Sequence, residues 1–150
     1  MGATLSLIWH VQGWLYFAHI GDGRIYQFMR EGGIRQLTDD HTHVGWLRRK
    51  GELNERQARM HPRKNVLTQA LGAGNQTIKP QLGEIRCEAG DTFVLCTDGV
   101  IDGLWDRRIA ELINRPSEQL AELPPAERLV KTAVAESGKD NATAIVLEVH

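Results

Sequence analysis

The chain has 150 residues, 41% of them hydrophobic and 25% charged, which is enough for one globular domain with a sizeable core. Its formal charge of −1 offers no general attraction to nucleic acid or to an anionic lipid surface, and no apolar run approaches the roughly 20 residues of a membrane-spanning helix. The start lacks a basic region followed by a hydrophobic signal segment, and Cys87 and Cys96 lack the spacing of a zinc site or a disulfide framework, so a cytoplasmic protein with two free thiols is expected.

Thr4 to His10 alternates, with Leu5, Leu7 and Trp9 on one face, and Gln12-Gly13 separates it from the apolar run Trp14 to Ile20. That pattern predicts a β-hairpin. Gly21-Asp22-Gly23-Arg24 then leads into Ile25 to Met29, and Glu31-Gly32-Gly33 turns the chain into Ile34 to Leu37, so the chain opens as a β-meander. Its first strand begins almost at Met1, and one flank of the sheet is therefore expected to lack a neighbour that a longer protein would supply. Between Leu37 and Leu71 the pattern becomes polar, basic and helical. The spacing predicts one short helix over Thr42 to Lys50 and a second, capped by Asn54, running to about Met60. This excursion reads equally as a solvated surface loop or as a lid that touches substrate, and His61-Pro62-Arg63 at its end is open in the same way.

From Ile78 the strand pattern resumes through Glu84 to Cys87, turns at Glu88-Ala89-Gly90 and enters Thr92 to Cys96, a buried strand that ends in an expected turn at Thr97-Asp98-Gly99. Asp106 is expected to cap a helix whose Ile109, Leu112 and Ile113 share a face. Pro124-Pro125 opens a longer helix with Leu129, Val130, Ala133 and Val134 aligned, closed by Gly138. Lys139-Asp140-Asn141 then turns into Ala142 to Leu147, a final strand expected to be buried.

Asp22, Asp98 and Asp140 share a property, since each sits at a Gly- or Asn-rich turn at the end of an apolar strand, with Asp102 within reach of Asp98. Three such turns at one rim would gather carboxylates, the oxygen ligands that magnesium or manganese prefers. Cations held there polarise phosphate and lower the pKa of bound water. Three unrelated Asx-turns account for the same spacing, and both readings stay open on spacing alone.

At these residues the sequence resembles the metal-dependent serine/threonine protein phosphatases of the 2C type. Gly21-Asp22-Gly23-Arg24 is similar to the family's Gly-Asp-Ser-Arg turn and Leu37-Thr38-Asp39-Asp40-His41 to its Leu-Thr-x-Asp-His segment. His61-Pro62-Arg63-Lys64-Asn65-Val66-Leu67-Thr68 with Ala70-Leu71-Gly72 resembles the bacterial form. Gly90-Asp91 with Cys96-Thr97-Asp98-Gly99-Val100-Ile101-Asp102 resembles the strand and Ser-Asp-Gly turn, and Asp140-Asn141-Ala142-Thr143 resembles the terminal Asp-Asn-x-Thr. The matches run in order along nearly the whole chain.

The resemblance implies an α+β fold, an antiparallel β-sandwich flanked by helices and incomplete at its amino terminus. Residues 1–150 would be the carboxy-terminal part of a single phosphatase domain, with a flap insertion at about 41–65 that carries His61 and Arg63 beside the substrate. Asp98 and Asp140 would hold the metal centre, Asp22 and Asp98 a third, weaker site, and Gly99, Asp102 and Asn141 would support them directly or through water. The implied cofactors are two or three manganese or magnesium ions. The implied reaction is attack of a metal-bridged water on the phosphorus of phosphoserine or phosphothreonine in a protein partner, with no role for nucleic acid or membrane. The family's opening arginine and Asp-Gly-x-Gly-Gly segment are not found in these residues, so activity is expected to need upstream sequence, and exposed sheet edges to favour self-association. The alternative reading is a pseudophosphatase, a non-catalytic regulatory domain that binds phosphoproteins.

Overall fold

The computed structural model describes residues 2–72, 74 and 77–150. In chain order the elements are β1 (Gly2–Ala3), β2 (Leu5–Val11), β3 (Trp14–Ile20), β4 (Arg24–Phe28), β5 (Ile34–Gln36), α1 (His43–Arg49), α2 (Glu55–Met60), β6 (Leu71–Gly72) and β7 (Gln81–Arg86). They continue as β8 (Thr92–Cys96), α3 (Asp98–Gly103), α4 (Asp106–Asn114), α5 (Glu118–Ala121), α6 (Pro125–Glu136) and β9 (Ala144–Glu148). These elements form two compact units, Met1–Gly23 with Thr38–Cys87, and Arg24–Leu37 with Glu88–His150. No helix among the described residues is long and apolar enough to cross a membrane.

In the first unit the expected hairpin forms. Gln12 and Gly13 both have positive φ, 49° and 77°. A two-residue turn with that geometry matches the right-handed twist of the strands, and β2 pairs with β3 along its whole length, from Leu5↔Ile20 to Val11↔Trp14. β3 also pairs with β7, in the order β2-β3-β7. The strand expected from Ile78 starts only at Gln81, because Pro80 has no N–H to give the ladder and restricts Lys79 before it. Cross-strand register sets Leu5, Leu7, Trp9, Trp14, Tyr16 and Leu82 on one face, where exposure ranges from 37% to 71%. Leu15 and His19 are buried on the other.

The excursion after Thr38 contains the two predicted helices, and its caps explain them. The Thr42 hydroxyl accepts the Gly45 N–H, while Asn54 and Gln57 exchange side-chain and backbone bonds as a capping box. At its base Thr42 bridges Leu67, and the Thr68 N–H donates to the His41 carbonyl at 2.7 Å.

The second unit is a four-stranded antiparallel sheet, ordered β5-β4-β8-β9, with helices on one face. Tyr26, Phe28, Val94 and Cys96 project from that face onto Val100, Ile101 and Leu104 of the α3 segment, Ile109 and Leu112 of α4, and Leu129 and Ala133 of α6. β9 is only half-buried rather than fully buried as expected. It is an edge strand, so Ala144 and Val146 pack on the core while Ile145 on the opposite face stays 58% exposed.

Asp106 does not cap α4; Trp105 occupies that position, and Asp106 is the first helical residue. Its carboxylate instead accepts from the Tyr26 hydroxyl at 2.8 Å and from the Arg24 guanidinium at 3.3 Å. Arg24 is buried and also donates to the Tyr26 oxygen at 3.0 Å. A buried cation is tolerable because each charge finds its partner. Burial pushes the Tyr26 hydroxyl well above its ordinary range, so it stays a donor. Arg128 is buried in the same manner, its guanidinium donating to the carbonyls of Leu112 and Leu123. Cys87 and Cys96 are both buried free thiols.

Tyr26→Phe keeps the ring in the core but removes the donor to Asp106, so urea unfolding is expected to show a loss of about 1 kcal/mol with an unchanged m-value.

Candidate metal centre

The acidic site of the second unit is a product of strand register. β8 and β9 pair as far as Cys96↔Ala144, and the ladder is extended by one pair of bonds. The Thr97 N–H donates to the Thr143 carbonyl, and the Thr143 N–H donates back to the Thr97 hydroxyl, both at 3.1 Å. Asp98 directly follows Thr97, and Asp140 lies in the turn that leads through Asn141 and Ala142 to Thr143, close enough for its charge to act on Asp98. The expected turn at Thr97-Asp98-Gly99 is instead the start of α3. Thr97 is its N-cap in extended conformation and Asp98 lies in its first turn, where a carboxylate suits the exposed backbone N–H groups.

Each carboxylate is steadied by the next backbone amide: Gly99 N–H donates to Asp98 at 2.9 Å, and Asn141 N–H to Asp140 at 2.7 Å. Gly99 has a second role that a larger residue cannot fill. A Cβ at this position would collide with the Asn141 carbonyl oxygen, so only glycine lets the backbone before β9 lie against α3. Gly99 and Asn141, both expected as supporting residues, thus meet through their backbones.

The electrostatics follow. The Asp98 carboxyl is raised above its ordinary value, first by burial and next by the charge of Asp140, with a smaller contribution from Asp102; the Gly99 hydrogen bond pulls it partly back. Asp98, with two further carboxylates whose charges reach it, offers oxygen donors only, which suit a hard divalent cation that would offset the repulsion. Among the described residues no group of three or more His, Cys, Asp or Glu side chains is gathered to hold a metal by itself. The Asp98–Asp140 pair therefore fits part of a coordination shell.

Asp22 lies in the first unit, partly buried in the turn after β3. The residue before it is gripped on both sides. Gly21 N–H donates to His41 Nδ1 at 3.2 Å, and the Gly21 carbonyl accepts from the His41 N–H at 2.7 Å and from His19 Nε2 at 3.0 Å. Ser6 Oγ stands 2.9 Å from the other nitrogen of His19, and the two imidazoles are 5.1 Å apart. Both rings are pulled below the ordinary histidine value, chiefly by burial; His41 adds to the effect on His19, and Arg49 to that on His41.

His61 ends α2, and its Nδ1 accepts the Arg63 N–H at 3.1 Å, which ties the imidazole to its own turn. Arg63 is exposed. His19 belongs to none of the motifs, and the motifs that contain Thr97 and Thr143 do not indicate the bonds between them. A lone imidazole in the apolar run Trp14–Ile20 is a polar group that needs a partner, and a threonine before Asp-Gly is an N-cap signal; both were there to be read.

Because the folded-state pKa of Asp98 lies above its unfolded value, the folded protein binds this proton more tightly, and the stabilisation is lost as pH rises through the folded pKa. Chelator-treated protein is therefore expected to lose thermal stability from about pH 4 upward more steeply than Asp98→Asn, a difference read by paired melts across the acid range.

Residues 1–135 match the family model described as Protein phosphatase 2C. The serine/threonine protein phosphatase PstP of Mycobacterium tuberculosis is 36% identical over 149 residues, covering 99% of this chain and 28% of that protein. Protein phosphatase PhpP of Streptococcus pneumoniae is 31% identical over 153 residues, covering 100% of this chain and 59% of its own length. Among solved structures, M. tuberculosis PstP/Ppp superposes with a TM-score of 0.83 at 33% identity, covering 98% of this chain and 60% of that one. The catalytic domain of PstP in complex with two manganese ions gives 0.82 at 31% identity, covering 99% and 60%. The chain thus spans between about a quarter and three fifths of these relatives, and it has the expected α+β fold of antiparallel sheets flanked by helices. With the motifs in order along its length and the match extending over residues 1–135, the chain belongs to the protein phosphatase 2C family.

Proposed function

We propose that these residues form part of a cytoplasmic signalling phosphatase domain that hydrolyses phosphoserine and phosphothreonine in proteins with the help of manganese or magnesium. The observation that carries this reading is the juxtaposition of Asp98 and Asp140 by the β8–β9 register, at the positions where the family resemblance puts metal ligands. Asp98 and Asp140 offer carboxylate oxygens to the cations, and Asp102, one helical turn beyond Asp98, adds charge from the same side of α3. By the family resemblance, Asp22 would serve a third, weaker metal site. Bound metal supplies a polarised phosphate and an acidified water. The protein's own contribution is to hold the carboxylates in place and close to each other before the cations arrive, through the amides of Gly99 and Asn141 and the Thr97–Thr143 bonds. The excursion at about 41–65, with His61 and Arg63, faces the substrate.

We further infer that turnover needs more of the family domain than these 150 residues supply. Two neighbouring carboxylates and a third nearby give a hard cation fewer oxygens than the six or so it takes, and water competes for the rest. A second inference concerns the isolated chain. Leu5, Leu7, Trp9, Trp14, Tyr16 and Leu82 leave an apolar face uncovered, and β2 has one unpaired edge in its sheet, so copies of the chain associate through them.

Assayed alone, the 150 residues are expected to hydrolyse nitrophenyl phosphate and phosphoserine or phosphothreonine peptides at background rate. Joined to the upstream sequence of a family domain they gain manganese-dependent turnover, which Asp98→Ala or Asp140→Ala lowers by more than about a hundredfold. Turnover by the 150 residues alone, abolished by Asp98→Ala, would show that their own side chains suffice.

For self-association, static light scattering should give a mass above that of a monomer, and Leu7→Glu combined with Trp9→Glu should return it toward one chain. A wild-type monomer at high concentration contradicts the inference.

A further inference from the structure

We infer that His41, assisted by His19, is a positioning residue that locks the Gly21 peptide and thereby sets where the Asp22 carboxylate stands. The inference rests on the reading of Asp22 as a metal ligand made above. Gly21 has almost no freedom of its own. Its φ is 120°, a conformation natural to glycine, and the side chain of Thr4 occupies the space that a Cβ would need. A residue with no side chain can be held only by its backbone, and here both of its polar groups are taken. The N–H goes to His41 Nδ1, while the carbonyl receives two donors, the His41 N–H and His19 Nε2.

These bonds assign the tautomers. A carbonyl oxygen only accepts, so His19 carries its proton on Nε2, and its bare Nδ1 accepts the Ser6 hydroxyl proton. A backbone N–H only donates, so His41 is bare at Nδ1 and protonated at Nε2. One residue, His41, thus grips Gly21 at both ends, through its ring on one side and its main chain on the other. His41 is in turn fixed from behind, its carbonyl accepting the Thr68 N–H at 2.7 Å. The result couples the Asp22 turn to the base of the α1–α2 excursion. The ring Nδ1, N–H and carbonyl of His41 are engaged by Gly21 and Thr68, so His41 acts through the Asp22 turn, as a positioning residue.

The test is amide hydrogen exchange and nitrogen NMR on the metal-free protein, with manganese binding as a separate arm. In the wild type, a trans-hydrogen-bond coupling should be seen between Gly21 N and His41 Nδ1; its absence overturns the proposal without recourse to any variant. In His41→Ala the Gly21 amide should exchange at least about tenfold faster, while amides within the β2–β3 ladder keep their wild-type rates. In His41→Asn, whose side-chain oxygen can stand in for Nδ1, Gly21 should regain most of its protection. Equal protection of Gly21 in His41→Ala and wild type, or a uniform acceleration across β2 and β3, overturns the positioning role. Manganese affinity, followed by the free-ion paramagnetic resonance signal, should weaken severalfold in His41→Ala and recover in His41→Asn. If the exchange results hold while Asp22→Asn leaves manganese affinity unchanged, the grip on Gly21 stands and the assignment of Asp22 as a ligand falls.

Discussion

The antiparallel register between β8 and β9 is the constraint on which the acidic end of the second unit depends. β8 is deeply buried, with Phe93 and Val94 wholly inaccessible, and its alternating residues leave one alignment in which Ala144 and Val146 reach the helices. A slip of one residue would turn those side chains outward and carry Asp140 away from Asp98. The core thus fixes the register for reasons of burial alone, and the carboxylates inherit their separation from it. The Thr97–Thr143 bonds and the contact between Gly99 and the Asn141 carbonyl then carry that alignment past the end of the ladder.

Holding like charges near each other works against folding, so the surrounding structure must over-determine the arrangement. It does so with well-satisfied polar groups. Among the described residues no buried side-chain nitrogen or oxygen is left without a hydrogen-bond partner. Arg24 and Arg128 show how: each takes a charge into the interior and meets a phenol and carboxylate, or main-chain carbonyls at the ends of helices. The acidic site is the exception in kind, with a carboxyl whose affinity for protons is raised rather than lowered by its setting.

Most strands and the longer helices were legible because their signals are local. Alternation and a Gln-Gly turn specify the β2–β3 hairpin, and Asn54 with Gln57 or Pro124-Pro125 mark helix starts by chemistry that acts within a few residues. What escaped was set by distant partners. Asp106 reads as a cap until Tyr26 and Arg24, some eighty residues earlier, claim its carboxylate. Asp98-Gly99 reads as a turn because three apolar positions that make α3 a buried helix, Val100, Ile101 and Leu104, acquire meaning only against α6. At the site, strand-end position singled out Asp98 and Asp140, whereas the histidine grip on Gly21 joins β3 to a residue twenty positions on and leaves no periodic trace.

Neither unit is a continuous piece of chain. The polypeptide leaves the first after Gly23, returns at Thr38 and leaves again after Cys87, so each unit is stitched from two separate lengths. A break at any one interior peptide bond severs one of the units, and no cut frees a unit whole. Such interlacing resists trimming by recombination: a single exchange at any interior point parts the two lengths of at least one unit, so neither can be swapped alone by one crossover. It also demands that contacts remote in sequence form before either unit is complete, which slows folding relative to a unit built from one continuous length.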